Sequence, residues 1–221
     1  ECLVGSEMCI RDSNYMAHSD EAEKYSAAAF ATKHEDAIYF SKRVTCAVPD
    51  GGPIEAHTDL VKKLDYECEL AVVLGRDARD VPAGQTRDYI FGYTILNDVS
   101  ARDVQTAHKQ WYFGKSLDGF TPIGPCIVTA DAFADYPPRL GIRSFVNGEK
   151  RQDSNTALQI FDIDHVIAEL SQGMTLKAGT IIATGTPAGV GMGMDPPQFL
   201  KPGDVVRCEI DGIGTLTNPV K

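Results

Sequence analysis

The stretch that most constrains this chain is Leu64-Asp65-Tyr66-Glu67-Cys68-Glu69-Leu70-Ala71-Val72-Val73-Leu74-Gly75. Its even positions from Tyr66 to Leu74 are apolar, the period-two signature of a β-strand with one buried face. The odd positions begin acidic, with Asp65, Glu67 and Glu69, and then turn to Ala71 and Val73, so burial of that face is expected to rise just past the acids. Glu67 and Glu69 point the same way, about 7 Å apart at roughly 3.3 Å per residue. No Lys or Arg shares the face, and two like charges so placed call for a cation. A second apolar run, Tyr89 to Leu96, ends in Asn97-Asp98 and puts a third carboxylate at a strand terminus. Three acidic oxygen donors suit a hard cation such as Mg2+, leaving about three of six octahedral positions for water or substrate. On spacing alone, Glu-x-Glu is more often a solvated sheet face.

A chain of 221 residues that is 43% hydrophobic can bury one large core. No apolar run reaches the roughly 18 residues of a membrane span, so no membrane partner is expected. The net charge of −10, with no basic run to offset it, argues against nucleic acid. An anionic substrate then needs a local metal or lysine to overcome the field. Six cysteines (Cys2, Cys9, Cys46, Cys68, Cys126, Cys208) form no Cys-x-x-Cys pair and read as reduced structural thiols of a cytoplasmic protein.

Residues 1–13 read as an atypical N-terminal segment without the basic and apolar regions of a signal peptide, followed by a single domain over 14–221. The string also resembles translated sequencing-adapter read-through, which resequencing of the source locus would test. His18 and Glu21 are three residues apart and share a face if their segment is helical. Spacing alone makes them solvated helix surface. Glu21 to Phe30 has helix formers with little apolar periodicity, which suits a mobile lid better than a core helix. Phe40 to Ala56 reads as strand, turn and loop. Lys115, in a loop opening at Gly114 and flanked by Trp111, Phe113 and Phe120, is either a snorkelling surface lysine or a buried charge aimed at an anion.

Cys126 to Thr129 and Ile142 to Asn147 read as strands, with Asn147-Gly148 as a hairpin turn. Ile163, Val166, Ile167 and Leu170 recur at helical spacing behind an Asp162 cap, and His165 in that helix is surface. Leu176 to Ile182 and Leu200 to Val206 each place a glycine turn before a β-branched strand, which favours a rolled β architecture over an alternating βαβ sheet. The fold class is therefore α+β, mostly β. Gly189-Val190-Gly191-Met192-Gly193 lacks Gly-x-Gly-x-x-Gly and runs into Pro196-Pro197, which excludes a dinucleotide turn. Thr186, beside Gly185, is the better ligand contact in that region.

Four separated motifs occur in order: Asp65-Tyr66-Glu67-Cys68-Glu69-Leu70; Gly92-Tyr93-Thr94-Ile95 with Asn97-Asp98-Val99-Ser100-Ala101-Arg102-Asp103; Gly114-Lys115-Ser116; and Ala183-Thr184-Gly185-Thr186-Pro187-Ala188-Gly189-Val190-Gly191. Together with Asn14-Tyr15-x-x-His18-x-x-Glu21 they resemble the fumarylacetoacetate hydrolase family from about Ser13 to the C-terminus. The resemblance implies a mixed β-sandwich roll of that family's C-terminal-domain type, a homodimer, and Mg2+ or Mn2+ held by Glu67, Glu69 and Asp98. It implies that Arg102, Gln105 and Thr186 contact the substrate, with Lys115 beside its oxo oxygens, and that His18 and Glu21 form a catalytic dyad. Larger members have a further acidic ligand before the histidine, where this chain has Ser13-Asn14-Tyr15.

That arrangement suits a small anionic 2-oxo acid with a second carbonyl, as in acylpyruvates, because a metal stabilises the enolate that leaves when the adjoining C–C bond breaks. Hydrolysis further needs His18, oriented by Glu21, to activate water. Oxaloacetate decarboxylation and isomerisation of 2-hydroxyhepta-2,4-diene-1,7-dioate in aromatic catabolism need the same enolate without that water, and stay open. A non-catalytic, cation-binding β-domain is the alternative from another class.

Overall fold

The structure, a computed structural model, describes residues 8–11, 14–30, 36–108 and 110–221. Cys2, Ser13 and the rest of segment 1–13 other than 8–11 lie outside the described residues. In chain order the elements are β1 (Met8–Arg11), α1 (Met16–Phe30), β2 (Tyr39–Lys42), β3 (Leu64–Asp65), β4 (Cys68–Leu74), β5 (Ile90–Asn97), β6 (Ser100–Ala101), α2 (Arg102–Ala107), α3 (Tyr112–Lys115), β7 (Ile123–Thr129), β8 (Gly141–Val146), β9 (Glu149–Asn155), α4 (Ile163–Leu170), β10 (Ile181–Ala183), β11 (Val205–Ile210) and β12 (Gly214–Pro219).

Six strands form one sheet in the order β2-β1-β10-β4-β5-β7, and four form a second in the order β12-β11-β8-β9. β1 runs parallel to β10, while β10 with β4, β4 with β5 and β5 with β7 are antiparallel, so the larger sheet is mixed. The sheets face each other, Leu70, Val72, Leu74, Tyr93 and Ile95 packing in one core with Ile142, Val206, Cys208, Ile210 and Leu216. Helix α4 closes this core with Ile163, Val166, Ile167 and Leu170, and Asp162 caps it by accepting from His165 N–H at 2.9 Å. The result is the α+β, mostly β sandwich roll expected. His165 lies on the surface as its position suggested, 3.3 Å from Glu169.

The hairpin at Asn147-Gly148 is also present, with φ of 53° and 84° at the two residues, the left-handed pair that a two-residue turn between β8 and β9 requires. Four described cysteines are free: Cys68 and Cys208 are buried, whereas Cys46 and Cys126 are exposed, so only the first two are structural in the sense of packing. Among the described residues, no helix is long and apolar enough to cross a membrane.

Two expectations are corrected. The odd face of the acidic strand does not grade from wet to dry, because every residue from Leu64 to Leu74 is buried. Its far side is covered by Leu96 and Ala183, packed under Phe40, Val44, Ile123 and Ile181. The ladder also breaks at Tyr66-Glu67, between β3 and β4, which frees Glu67 from regular pairing. Around Lys115 the chain forms the one-turn helix α3 in place of a loop, and Lys115 ends it with no solvent exposure.

Candidate metal centre and active site

The three carboxylates converge because β4 and the end of β5 are neighbours: Cys68 pairs with Asn97, Glu67 N–H donates to Asn97 Oδ1 at 2.9 Å, and Asp98 N–H donates to Glu67 O at 2.8 Å. One carboxylate oxygen each from Glu67, Glu69 and Asp98 lies within 4.8 Å of the other two, and all three residues are fully buried. Adjacent ligands of a six-coordinate Mg2+ ion at 2.0–2.1 Å stand about 2.9 Å apart and opposite ones about 4.2 Å, so the trio would draw closer to share one ion. Glu69 carries the most telling detail. Its Oε2 accepts from Gly185 N–H at 2.7 Å, while its buried Oε1 has no hydrogen-bond partner among the described residues. Burial first, then the Asp98 and Glu67 charges, hold the Glu69 carboxyl well above the usual carboxylate range. An all-oxygen donor set with an orphaned carboxylate oxygen fits a hard divalent cation.

No cation shares the strand face, as the sequence showed, yet three reach the acids from elsewhere in the chain. Lys115 Nζ lies 2.8 Å from Glu67 Oε2 and 2.7 Å from Asp98 Oδ2; Lys42 Nζ donates to Asp98 Oδ1; Arg102 Nη1 lies 2.6 Å from Glu67 Oε1, and its Nε 2.9 Å from Asp65 Oδ2. All these side chains have zero exposure. Burial pushes the Lys42 ammonium down from the usual lysine range, against the pull of Asp98. Among the described residues, four buried acidic side chains therefore face three buried basic ones. Buried ion pairs seldom improve on apolar packing, which makes such a cluster costly to keep for stability alone.

Arg102 also donates to Gln105 Oε1 at 3.2 Å, and the buried Gln105 Nε2 has no hydrogen-bond partner among the described residues. Thr186 is fully buried on the other side of the trio, donating to Cys68 O at 3.0 Å between the two glutamates and accepting from Gln152 Nε2 at 2.6 Å. Gln152 Oε1 in turn accepts from Cys68 N–H at 3.1 Å.

His18 and Glu21 occupy one face of α1, Nδ1 standing 3.8 Å from Glu21 Oε2, as their spacing anticipated. His18 is buried, and Glu21 is anchored by Gly189 N–H at 3.1 and 3.0 Å to its two oxygens. Gly189 has φ of 104°, a backbone conformation that turns its N–H onto the carboxylate and that side-chain-bearing residues avoid. Instead of standing off as a lid, α1 is docked: Ala22 packs in a cluster with Trp111, Val190 and Met192, joined by Tyr25, Phe40 and Phe199.

Glu67, Asp98, Arg102, Gln105 and Lys115 are thus linked by ion pairs and hydrogen bonds, Glu69 brings a carboxylate oxygen within 4.8 Å of those of Glu67 and Asp98, Thr186 bonds to Cys68 between the two glutamates, and the His18–Glu21 pair is tied to the glycine-rich loop at Gly189. Lys42, Asp65 and Gln152 belong to this assembly without having been singled out as site residues. Asp65 stood in view at the head of the acidic run; Lys42 ends a short strand, and Gln152 sits in a polar stretch that marks neither residue.

Residues 8–221 match the family model described as fumarylacetoacetate (FAA) hydrolase, C-terminal. The chain is 43% identical over 213 residues to the oxaloacetate tautomerase YisK of Bacillus subtilis, covering 96% of this chain and 68% of that protein. An uncharacterised Staphylococcus epidermidis protein, SERP0556, is 47% identical over 195 residues, covering 87% of this chain and 64% of that protein. Among solved structures, a fumarylacetoacetate hydrolase from Exiguobacterium antarcticum is 45% identical with a TM-score of 0.87, covering 98% of this chain and 75% of that one. A 2-hydroxyhepta-2,4-diene-1,7-dioate isomerase from Mycobacterium marinum is 39% identical with a TM-score of 0.79, covering 97% and 74%. The chain belongs to the fumarylacetoacetate hydrolase family. It spans about two thirds of the length of these curated relatives.

Proposed function

We propose that the chain is a divalent-metal-dependent enzyme that forms the enolate of a small anionic 2-oxo acid, and that its reaction is hydrolysis of a C–C bond in acylpyruvate-type 2,4-dioxo acids. The observation that carries this reading is the fully buried Glu67–Glu69–Asp98 trio with its unpartnered Glu69 oxygen, set against Lys115 and Arg102. Mg2+ or Mn2+ held by the trio supplies, when bound, Lewis-acid stabilisation of charge on the 2-oxo oxygen.

The chain's own residues do the rest. Arg102 and Gln105 bind the substrate carboxylate, the orphaned Gln105 Nε2 donating to it. Lys115 places a positive charge beside the oxygen that becomes anionic, in a site with no bulk water to screen it. Thr186 orients the substrate through its hydroxyl. Glu21, fixed by Gly189, faces His18 Nδ1 at 3.8 Å and closes on it when substrate binds, so that the imidazole takes a proton from water at Nε2 as the water adds to the distal carbonyl. The C–C bond then breaks, the acyl half leaves as a carboxylic acid and the enolate takes up a proton to become pyruvate. The working form is a cytoplasmic homodimer with no nucleic-acid or membrane partner.

A second reading, keto–enol tautomerisation of oxaloacetate, is favoured by the 43% identity to a protein named for that activity. It uses the same enolate and needs no attacking water, as do oxaloacetate decarboxylation and the dienedioate isomerisation. A panel of acetylpyruvate, oxaloacetate and 2-hydroxyhepta-2,4-diene-1,7-dioate, assayed with Mg2+, separates them. Pyruvate release from acetylpyruvate supports the hydrolase. Enolisation of oxaloacetate without it puts the tautomerase first, and inertness throughout supports a non-catalytic cation-binding domain.

A further inference from the structure

The Gly189-Val190-Gly191-Met192-Gly193 run belongs to no nucleotide site, but it grips two carboxylates of this chain from opposite sides. On one side Gly189 N–H donates to both oxygens of Glu21, and a Cβ added at Gly193 would stand 2.6 Å from the Glu21 carboxyl carbon. On the other side Gly191 N–H donates to Asp65 Oδ1 at 2.7 Å and Met192 N–H to Asp65 Oδ2 at 3.0 Å, with Tyr66 N–H adding a bond at 2.9 Å. Asp65 Oδ2 also accepts from Arg102 Nε at 2.9 Å, and Arg102 continues to Glu67 Oε1 and Gln105 Oε1. Five residues of loop thereby join the half-buried Glu21 on α1 to the guanidinium beside Glu67.

We infer that Asp65 is a positioning residue that couples the docked position of Glu21 to the aim of Arg102. This rests on the roles proposed above for Glu21 and Arg102. A buried carboxylate held by four donors, one of them charged, fixes each donor in relation to the others. Displacing α1 pulls Glu21 from Gly189, lets Gly191 and Met192 shift, and so changes the partner that orients Arg102. The dyad and the anion-binding arginine are set by one network, and the site is complete only with α1 in place.

Backbone amide hydrogen exchange at Gly189, Gly191 and Met192 in the Mg2+-loaded chain tests this, with Glu21→Gln and Asp65→Asn as variants. Coupling predicts exchange faster by roughly tenfold at Gly191 and Met192 in Glu21→Gln, where Asp65 is untouched, and by a similar factor at Gly189 in Asp65→Asn. With acetylpyruvate, Asp65→Asn lowers kcat and raises KM, and the double variant loses no more kcat than the worse single one, because both substitutions disturb one geometry. Exchange changes confined to the amides bonded by the substituted residue, or kcat losses that multiply, would overturn the inference. If Asp65→Asn does not fold, the Glu21→Gln exchange decides alone. If the unaltered chain does not turn over acetylpyruvate, the proposed hydrolase fails while the exchange result still decides the coupling.

Discussion

Lys115 Nζ lies 2.7 Å from Asp98 Oδ2, and neither side chain touches solvent. The same ammonium reaches Glu67, so one lysine counters two of the three converging acids, while Glu69 Oε1 has no hydrogen-bond partner among the described residues.

Lys115→Met removes the ammonium that pairs with both Glu67 and Asp98. Breaking a buried pair in this way costs about 3–5 kcal/mol. The melting temperature without metal therefore falls, and Mg2+ recovers more of it than in the unaltered chain. Acetylpyruvate hydrolysis and oxaloacetate decarboxylation both weaken, since both pass through the enolate beside Lys115. Calorimetry and parallel rate assays check this, and a variant that loses only one reaction would place Lys115 outside the shared step.

Glu69→Gln separates ion binding from folding. Burial and the neighbouring acids disfavour its charged form, so a neutral side chain there leaves stability without metal unchanged or raised. The unaltered chain gains about 2.7 kcal/mol when Mg2+ stands at 100 times its Kd, and the variant gains nothing. Thermal unfolding with and without Mg2+ measures both, and a variant still stabilised by the ion would remove Glu69 from the ligand set.

His18→Ala decides the reaction type. A general base contributes about 10²–10⁴-fold, so acetylpyruvate hydrolysis falls by that order while Mg2+ affinity, measured by titration calorimetry, is preserved. Oxaloacetate decarboxylation falls much less, because carbon dioxide leaves without an attacking nucleophile. Equal damage to both reactions would take water activation away from His18 and move the tautomerase or decarboxylase readings ahead.

Phe91 and Ile127 stand exposed on the neighbouring strands β5 and β7. Apolar surface of this kind suits contact with a second copy. Sedimentation at micromolar concentration is expected to give a dimer, and a monomer would refute the dimeric state.

The acidic strand was legible in period-two alternation, with apolar even positions from Tyr66 to Leu74 and acids where the odd face begins, and Asp98 was legible as the acid that ends the second apolar run. The cations around the trio were not, since alternation reports which face a residue shares and says nothing of what meets it. Lys42 reaches Asp98 across 56 residues of sequence, and Gln152 reaches Cys68 across 84. Asp65 was visible, but its partners Gly191 and Met192 lie 126 and 127 residues away, so its role appears only once the chain is folded. Docking of α1 was hidden for a related reason: it rests on the small Ala22 meeting Trp111, Val190 and Met192, a contact that leaves little apolar periodicity in the helix.

In the proposed function, Glu67, Glu69 and Asp98 hold a cation that lets this site form the enolate of a 2-oxo acid. If enolpyruvate is protonated here during turnover, the reverse step must also run, and the site exchanges the C3 protons of pyruvate with solvent. Proton NMR of pyruvate in D2O measures that exchange directly. Exchange well above the buffer rate is expected with Mg2+, abolished by a chelator and by Glu69→Gln. Exchange at the buffer rate in the Mg2+-loaded chain, or exchange that survives both chelation and Glu69→Gln, would contradict that function.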